Sequence, residues 1–462
     1  MTEQLDAVII GTGQAGKPLA SALAEAGWRA AIIERGRVGG TCIIDGCTPT
    51  KTMIASARVA HLARRAREYG VEVGPVEVDM EAVRARKRAV VDSFSEGGER
   101  NLGRHETLEL VYGEARFEGP RTVAVELREG GVRRISAPHV FINVGARATV
   151  PALPGLADVP FLDNASVMEL DRAPSHLLIL GGGWVGLEFG QMFRRFGARV
   201  TVIEQGPRLA PREDEDIAAA LTGVLEEDGL AIRAGQRAER VRLEGRDIVL
   251  TVSGGTASAE RAELAGSHLL VAVGRTPNTH TLDLDRAGIE TDERGYIPVS
   301  ERLETNVPGV YALGDVNGGP PFTHVAYDDF RVVRGHLLGG EPRTTRDRMV
   351  PWVVFTDPEL GRVGLGEREA REAGYDVKVA SLPMSRVARA IEGAETRGLM
   401  KAVVDGPSGR VLGAAVLGVA GGEILSVLQV AMMGGLPWTA LRDGVFAHPT
   451  LAESLNNLFA TI

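Results

Sequence analysis

Short apolar runs that each stop at glycine set the rhythm of the first half of the chain. Asp6 to Ile10 reads as a strand that runs into Gly11-Thr-Gly13-Gln-Ala-Gly16. A helical stretch to Ala26, a stop at Gly27 and a second strand ending Ile32-Ile33-Glu34 follow. The succession returns with the strand Leu177 to Leu180, the turn Gly181-Gly-Gly183-Trp-Val-Gly186, the stop Gly197 and the strand end Glu204. Gly11, Gly13, Gly16, Gly27 and Glu34 map onto Gly181, Gly183, Gly186, Gly197 and Glu204 at one offset of 170 residues. Between the two copies, 71–104 reads as a loop and then a charged helix whose charges form a solvated face. Leu108 to Ile135 reads as short strands with turns at Gly113, Gly119 and Gly130-Gly131. Phe141 to Gly145 and His268 to Gly274 each end a strand at glycine, and Tyr311-Ala-Leu-Gly314-Asp315 ends another buried strand on an acid.

From Glu341 the pattern changes to antiparallel strands at 350–354, 377–382, 398–404 and 411–417, followed by helices at 422–433 and 438–443. The expected fold is therefore α/β, with two Rossmann-like dinucleotide-binding domains and a C-terminal α+β domain. The first nucleotide domain spans 1–150 and returns over 275–340, the second spans 151–274, and the last domain takes 341–462. In each fingerprint the first glycine makes a tight turn, the second lets a pyrophosphate approach the backbone, and the third lets helix and strand pack. The acid, Glu34 or Glu204, accepts from ribose hydroxyls. Two such sites imply two cofactors that face each other, a resident one in the first site and an exchanging one in the second.

A net charge of −9 argues against a nucleic-acid or anionic-membrane surface. No apolar run approaches the roughly 18 residues of a membrane-spanning helix. The start, Met1-Thr-Glu-Gln-Leu-Asp, lacks the features of a secretion signal, so a cytoplasmic protein is expected. Cysteine usage narrows the chemistry further. The only two cysteines in 462 residues, Cys42 and Cys47, lie five apart in Gly39-Gly40-Thr41-Cys42-Ile43-Ile44-Asp45-Gly46-Cys47-Thr48-Pro49-Thr50-Lys51. In a regular helix their side chains would diverge by about 140°. Gly46 and Pro49 supply a distortion that makes bridge geometry reachable. Spacing alone also admits two inert buried thiols. No neighbouring Cys or His completes a metal shell, so no metal site is expected. Near the other end, Phe446-Ala-His448-Pro449-Thr450-Leu451-Ala452-Glu453 sets an imidazole and a carboxylate five residues apart. Alone, His448 reads as an ordinary surface histidine; opposite a dithiol it would be a base.

Taken together, the Gly-Gly-Thr-Cys-x4-Cys-x-Pro-x-Lys run, the two fingerprints, Tyr-Ala-x-Gly-Asp and His-Pro-x3-Glu resemble the flavin-dependent pyridine nucleotide-disulfide oxidoreductases. That family includes dihydrolipoamide dehydrogenase, glutathione reductase and mercuric reductase. The resemblance covers essentially the whole chain. It implies FAD in the first site, NADH or NADPH in the second, and a C-terminal dimerisation domain that builds a homodimer. It further implies that Cys47 is the sulfur against the flavin and Cys42 the one that exchanges with a disulfide or dithiol substrate. His448, oriented by Glu453 and supplied by the partner subunit, would handle protons. Lys51 would lie beside the flavin with Glu188 as its partner, and Asp315 would bind the ribityl chain. Thr41, Gly145, Gly274 and Arg275 complete the expected cofactor contacts. Glu204 would repel a 2′-phosphate, which favours NADH, although Arg208 four residues on could neutralise one.

Two departures from the family pattern stand out. Trp184 occupies a position where a side chain can cover the nicotinamide pocket, and Asn143-Val144-Gly145 replaces the commoner Ala-Thr-Gly, a change expected to be without consequence. The Cys47-Thr48-Pro49-Thr50-Lys51 segment resembles the mercuric-reductase branch. A terminal Cys pair and an N-terminal metal-binding module are not expected here, so a disulfide reductase, or a dihydrolipoamide dehydrogenase-like enzyme run in reverse, is the preferred reading and mercuric-ion reduction the alternative. A flavoprotein redox sensor or complex subunit without NAD(P)H turnover is a further alternative, resting on Trp184 alone.

Overall fold

The computed structural model describes residues 2–254, 261–340 and 343–462, so the expected boundary at Glu341 lies outside the described residues. The chain forms two compact units. One comprises Met1–Thr52, Arg84–Thr149 and Gly274–Arg348; the other comprises Met53–Val83, Val150–Val273 and Met349–Ile462.

In the first unit an eight-stranded sheet runs in the order Thr2–Gln4, Val132–Ser136, Thr122–Leu127, Leu108–Gly119, Ala30–Glu34, Ala7–Ile10, His139–Ile142 and Val310–Ala312. Ala7–Ile10 is central and pairs in parallel with Ala30–Glu34 and His139–Ile142. Its apolar run reads without alternation because both faces are covered. Val8, Ile33 and Val140 point into one apolar cluster, while Ile9, Ile32 and Phe141 point into another that includes Leu19 and Leu23 of the Gly16–Glu25 helix. Gly113 is not a turn. It lies inside the continuous strand Leu108–Gly119, where a Cβ would come within 2.4 Å of the Glu126 carbonyl oxygen, so glycine serves close strand approach there. The chain reverses at the other two expected turns, between Gly119 and Thr122 and at Gly130 and Gly131, both of the latter at positive φ.

The second unit repeats the plan. A five-stranded parallel sheet runs Ala231–Ala234, Arg199–Glu204, His176–Leu180, His268–Val271 and Phe161–Leu162. Leu177 and Ile179 face one core and Leu178 and Leu180 another. The antiparallel strands Gln236–Glu244, Asp247–Gly254 and Ala262–Gly266 form a separate meander. The C-terminal part is a five-stranded antiparallel sheet in the order Trp352–Val354, Glu359–Gly364, Val411–Gly418, Leu399–Asp405 and Val377–Pro383. It shares an apolar core with the Gly421–Met433 helix. The strand Glu359–Gly364, which the sequence pattern did not disclose, lies second in that order, paired with Trp352–Val354 and Val411–Gly418; glycines interrupt its apolar run at both Gly361 and Gly364. Among the described residues no helix is long and apolar enough to cross a membrane.

Candidate active site

The first fingerprint closes as its residue types require. Gly11 sits at φ +104°, and a Cβ there would lie 2.3 Å from the Asn143 carbonyl oxygen; one at Gly16 would lie 2.3 Å from the Gly11 carbonyl oxygen. Glu34 is buried at its strand end. Its Oε2 accepts from the Thr12 N–H at 3.2 Å and the Thr12 hydroxyl at 2.5 Å, and its Oε1 accepts from the Gly36 N–H at 2.7 Å. Thr12 Oγ1 in turn accepts from the Gly39 N–H at 3.1 Å. Gly40 packs so closely that a Cβ would stand 2.7 Å from the Gly13 Cα. These segments line a cleft of 260 Å³ together with Thr41, Asp45, Asn143, Val144 and Asn278. A glycine-walled cleft with a pinned carboxylate at one end fits the phosphates and ribose of a dinucleotide.

Gly13 has a second use beside the expected one. A Cβ at this position would meet Asn143 Oδ1 at 2.6 Å, so the absent side chain makes room for Asn143. Asn143 is buried; its Oδ1 accepts from the Gly16 N–H at 2.9 Å and its Nδ2 donates to the Leu313 carbonyl at 2.7 Å. The replacement of Ala by Asn is therefore of consequence, because it ties the fingerprint to the segment that carries Gly314 and Asp315.

The second fingerprint reproduces the first at the same offset. Gly181 has φ +108°, and Glu204 accepts from the Gly182 N–H at 2.8 Å and the Gly206 N–H at 2.6 Å. Thr12 and Gly36 thus correspond to Gly182 and Gly206. Gly183 faces open space where Gly13 meets Asn143. Each Glu204 oxygen accepts from one backbone N–H and keeps further acceptor capacity, as a ribose diol requires. Arg208 folds back and donates to the carbonyls of Glu213 at 3.0 Å and Pro211 at 3.3 Å. Trp184 opens the Trp184–Arg195 helix and lies half-buried against Trp352, ring centroids 5.0 Å apart.

The two cysteines come together because the helix between them is broken. Gly40–Ile44 forms one short helix, Asp45 ends it, and Cys47–Arg64 begins a new one. Gly46 is not at positive φ. It is needed because a Cβ would fall 2.7 Å from the Thr41 carbonyl oxygen. Pro49 lies in the first turn of the new helix, where a missing N–H costs nothing. Cys42 is half-buried and hydrogen-bonded to Cys47, and Cys47 Sγ lies 3.4 Å from Thr323 Oγ1 at the start of the Thr323–Leu337 helix. The hydrogen bond with Cys47, then burial, then the charge of Cys47 push the Cys42 thiol far above the ordinary thiol range. Thr323 and Lys17 pull the other way.

Lys51 stands one turn after Cys47 on the same helix face. Asp315 lies in the short Gly314–Asn317 helix, 3.7 Å from the Arg275 guanidinium; burial pushes its carboxyl up and Arg275 pulls it down. Arg275 also donates to the Ala146 carbonyl. Gly145 and Gly274 take positive φ at the neighbouring crossings. In the second unit Glu188 is buried and accepts from the Phe355 N–H at 2.9 Å. His448 Nδ1 lies 2.8 Å from Glu453 Oε2, with the imidazole side chain 66% exposed. Glu453 precedes the Ser454–Phe459 helix and does not fall within its first turn. With Nδ1–H given to the carboxylate, Nε2 is left to accept a proton. Lys17, Asn143, Thr323 and Asn278 were not anticipated as site residues. A lysine in the first turn of a helix, where the dipole disfavours cations, was the one local signal among them.

Residues 5–329 match the family model for pyridine nucleotide-disulphide oxidoreductase, and residues 350–459 match that family's dimerisation domain. The chain is 39% identical to the probable pyridine nucleotide-disulfide oxidoreductase RclA of Escherichia coli (strain K12), over 99% of each chain. It is 34% identical to a mercuric reductase of Streptomyces lividans, over 97% of this chain and 94% of that one. Among solved structures, the Cu(II) complex of HOCl-induced flavoprotein disulfide reductase RclA from Escherichia coli aligns with TM-score 0.91 at 39% identity, covering 100% of both chains.

Proposed function

This chain belongs to the pyridine nucleotide-disulphide oxidoreductases, and from that premise we propose a relay that ends on Cys42 and Cys47. It is an FAD-dependent enzyme that moves electrons between NAD(P)H and a disulfide or dithiol. The observation that carries the assignment of residues is the hydrogen-bonded pair Cys42 and Cys47 beside the 260 Å³ cleft of the first fingerprint.

FAD would be held by Gly11, Gly13 and Gly16 at its phosphates, by Glu34 at its ribose, and by Thr41, Lys51, Gly145 and Asp315 along the rest of its length. When bound, it supplies two-electron transfer between the nicotinamide and the cysteine pair. The second fingerprint, Gly181, Gly183, Gly186 and Glu204, would bind the nicotinamide dinucleotide, and Gly274 and Arg275 would make further cofactor contacts. Glu204 keeps acceptor capacity for two ribose hydroxyls, and Arg208 is engaged by loop carbonyls; both favour NADH.

In the reduced pair, Cys42 attacks a substrate disulfide as the thiolate. The substrate S–S bond breaks, a mixed disulfide forms, and the first product sulfur leaves as a thiol. Cys47 then attacks Cys42, which closes the Cys42–Cys47 disulfide and releases the second thiol. Two electrons pass to the substrate, and the two protons of the dithiol end on the two products. His448 of a partner protomer would take the Cys42 proton and return it to the leaving sulfur, with Glu453 fixing its tautomer. The match to the dimerisation domain supports a homodimer.

A second reading has a soft metal ion as the substrate of the same two sulfurs. It is favoured by the mercuric reductase relative and by the Cu(II) complex of the similar RclA.

Anaerobic titration of the purified flavoprotein with NADH and then NADPH tests the relay. NADH is expected to produce the long-wavelength band of a thiolate against the flavin. Cys42→Ser should keep that band and lose turnover with disulfides. Full disulfide turnover in Cys42→Ser removes the exchange role, and turnover of Cu(II) or Hg(II) in place of every disulfide tried would favour the metal reading.

A further inference from the structure

An arginine stands near the acid of the second fingerprint, yet its guanidinium folds onto its own loop. Beyond the strand that ends on Glu204, the Gly206 N–H donates to Glu204 Oε1. A Cβ at Gly206 would lie 3.1 Å from Glu204 Oε1 and 3.6 Å from the Arg208 carbonyl oxygen, so the carboxylate and the arginine's backbone flank one point. Leu209 packs on the fingerprint itself: a Cβ at Gly182 would meet Leu209 Cδ2 at 2.6 Å and Glu204 Cβ at 3.0 Å. Arg208 Nη2 donates to the Glu213 and Pro211 carbonyls, while Nη1 is buried without a hydrogen-bond partner among the described residues. A guanidinium that strands a buried N–H gains little from its own bonds. The loop must hold it there.

The hold lies at the loop's far end. Ala210 takes φ +47°, a left-handed position unfavourable to any residue with a Cβ. Its carbonyl accepts from the Glu213 N–H at 2.9 Å, closing a turn that presents the Pro211 and Glu213 carbonyls to Arg208. The Glu213 side chain, 2% exposed, accepts from Arg362 Nη1 at 2.8 Å, and Arg362 is itself 6% exposed. Asp214 accepts from the Glu367 N–H at 3.1 Å and lies 3.3 Å from Lys401 Nζ. Arg362 and Lys401 belong to the strands Glu359–Gly364 and Leu399–Asp405. A strained turn is thus fastened by buried ion pairs to the C-terminal sheet, which contains no part of either fingerprint. Desolvation offsets much of what such pairs contribute to stability, which leaves room for a role in geometry.

We propose that the buried pair Glu213–Arg362 sets coenzyme choice: it keeps Arg208 on the loop carbonyls, which leaves Glu204 free for the ribose diol and denies a 2′-phosphate its counter-charge. The inference rests on the second fingerprint being the nicotinamide dinucleotide site with a preference for NADH. Once released, Arg208 is drawn to the Glu204 carboxylate. There it competes with a ribose hydroxyl and offsets the repulsion that a 2′-phosphate meets.

The test reads binding without turnover, by calorimetric titration of the oxidised holoenzyme with NAD+ and with NADP+. It compares the parent with Glu213→Gln and with Glu213→Gln/Arg362→Met, each with and without Arg208→Met. Flavin absorbance verifies that every variant is folded and loaded. The Glu213→Gln/Arg362→Met variant leaves neither charge of the pair unpaired, so it tests the clamp even where the single variant does not fold. Breaking the clamp is expected to tighten NADP+ binding about tenfold, as one charge-assisted contact would, and to weaken NAD+ binding. Adding Arg208→Met should abolish the gain. Loosening of the site as a merely structural effect would weaken both dinucleotides. That result, unchanged affinities, or a gain that survives Arg208→Met overturns the inference and leaves the NADH reading standing. A parent that binds NADP+ as tightly as NAD+, or binds neither, overturns that reading and the inference with it.

Discussion

Asn143 shows how one side chain can couple two motifs that sequence places 127 residues apart. Its amide satisfies the Gly16 N–H and the Leu313 carbonyl at once, and it fills the space that Gly13 leaves empty. Replacing it by Ala would strand a buried donor and a buried acceptor, each costing about 1–3 kcal/mol when unmade. Asn143→Ala is accordingly expected to lower Tm and to release FAD more readily on dilution or in mild denaturant, with the second fingerprint's affinity for NADH unchanged. Equal FAD retention in parent and variant would show that Asn143 is not a strut. At this scale sequence was informative where chemistry is local. Glu34 and Glu204 occupy the expected strand ends because the fingerprint fixes the distance from glycine turn to acid. Asn143, Lys17 and Thr323 were opaque because their partners come from remote segments, and no local rule joins Thr323 to Cys47 across 276 residues.

Elements were legible wherever hydrophobic period and glycine punctuation agreed. The two βαβ copies, the helix at 438–443 and the C-terminal strands follow the pattern closely. Agreement failed where glycine had a second use, as at Gly113 inside a strand and at Gly361 in the unrecognised Glu359–Gly364 strand. What holds elements together in the second unit is also non-local. Asp357, just before that strand, is buried and accepts from Arg195 Nη1 at 2.5 Å and from Arg58, while its N–H donates to Gln191 Oε1 at 2.7 Å. Asp228 accepts from Arg195 Nη2 at 2.9 Å and Arg397 Nη1 at 2.6 Å. Burial pushes the Asp357 carboxyl up, but Arg195 first, then Arg58 and Arg397, hold it below the usual carboxylate range. A depressed native value means that the unfolded chain binds this proton more readily as pH falls. The stabilisation is complete above the unfolded carboxylate value and is lost on acidification through the lower native one. Asp357→Asn, which leaves Arg195 facing a neutral amide, is expected to cost about 3–5 kcal/mol and to flatten the acid limb of the Tm profile. A variant with the parent's acid limb would assign that limb to other carboxylates.

For the whole molecule, the open matter is which protomer supplies the base. His448 and Glu453 form a preset pair whose imidazole is two-thirds exposed, on the portion that matches the family's dimerisation domain. An exposed, oriented base without a thiol on its own segment is suited to serve a neighbouring copy, and in a two-fold dimer the same contact is made twice. Subunit mixing converts that geometry into arithmetic. Cys42→Ser and His448→Gln homodimers should each be nearly inactive with disulfide substrate. If sites are shared, a mixed dimer pairs the intact cysteines of one protomer with the intact histidine of the other and regains one of its two sites. Random reassortment of equal amounts makes half the dimers mixed, so co-refolded or co-expressed variants should recover about a quarter of the parent activity. If each protomer uses its own histidine, no mixture exceeds the homodimers. The same experiment with His448→Gln and Glu453→Gln must give no recovery under shared sites, since both lesions fall on one protomer's contribution and every thiol pair then faces a damaged base.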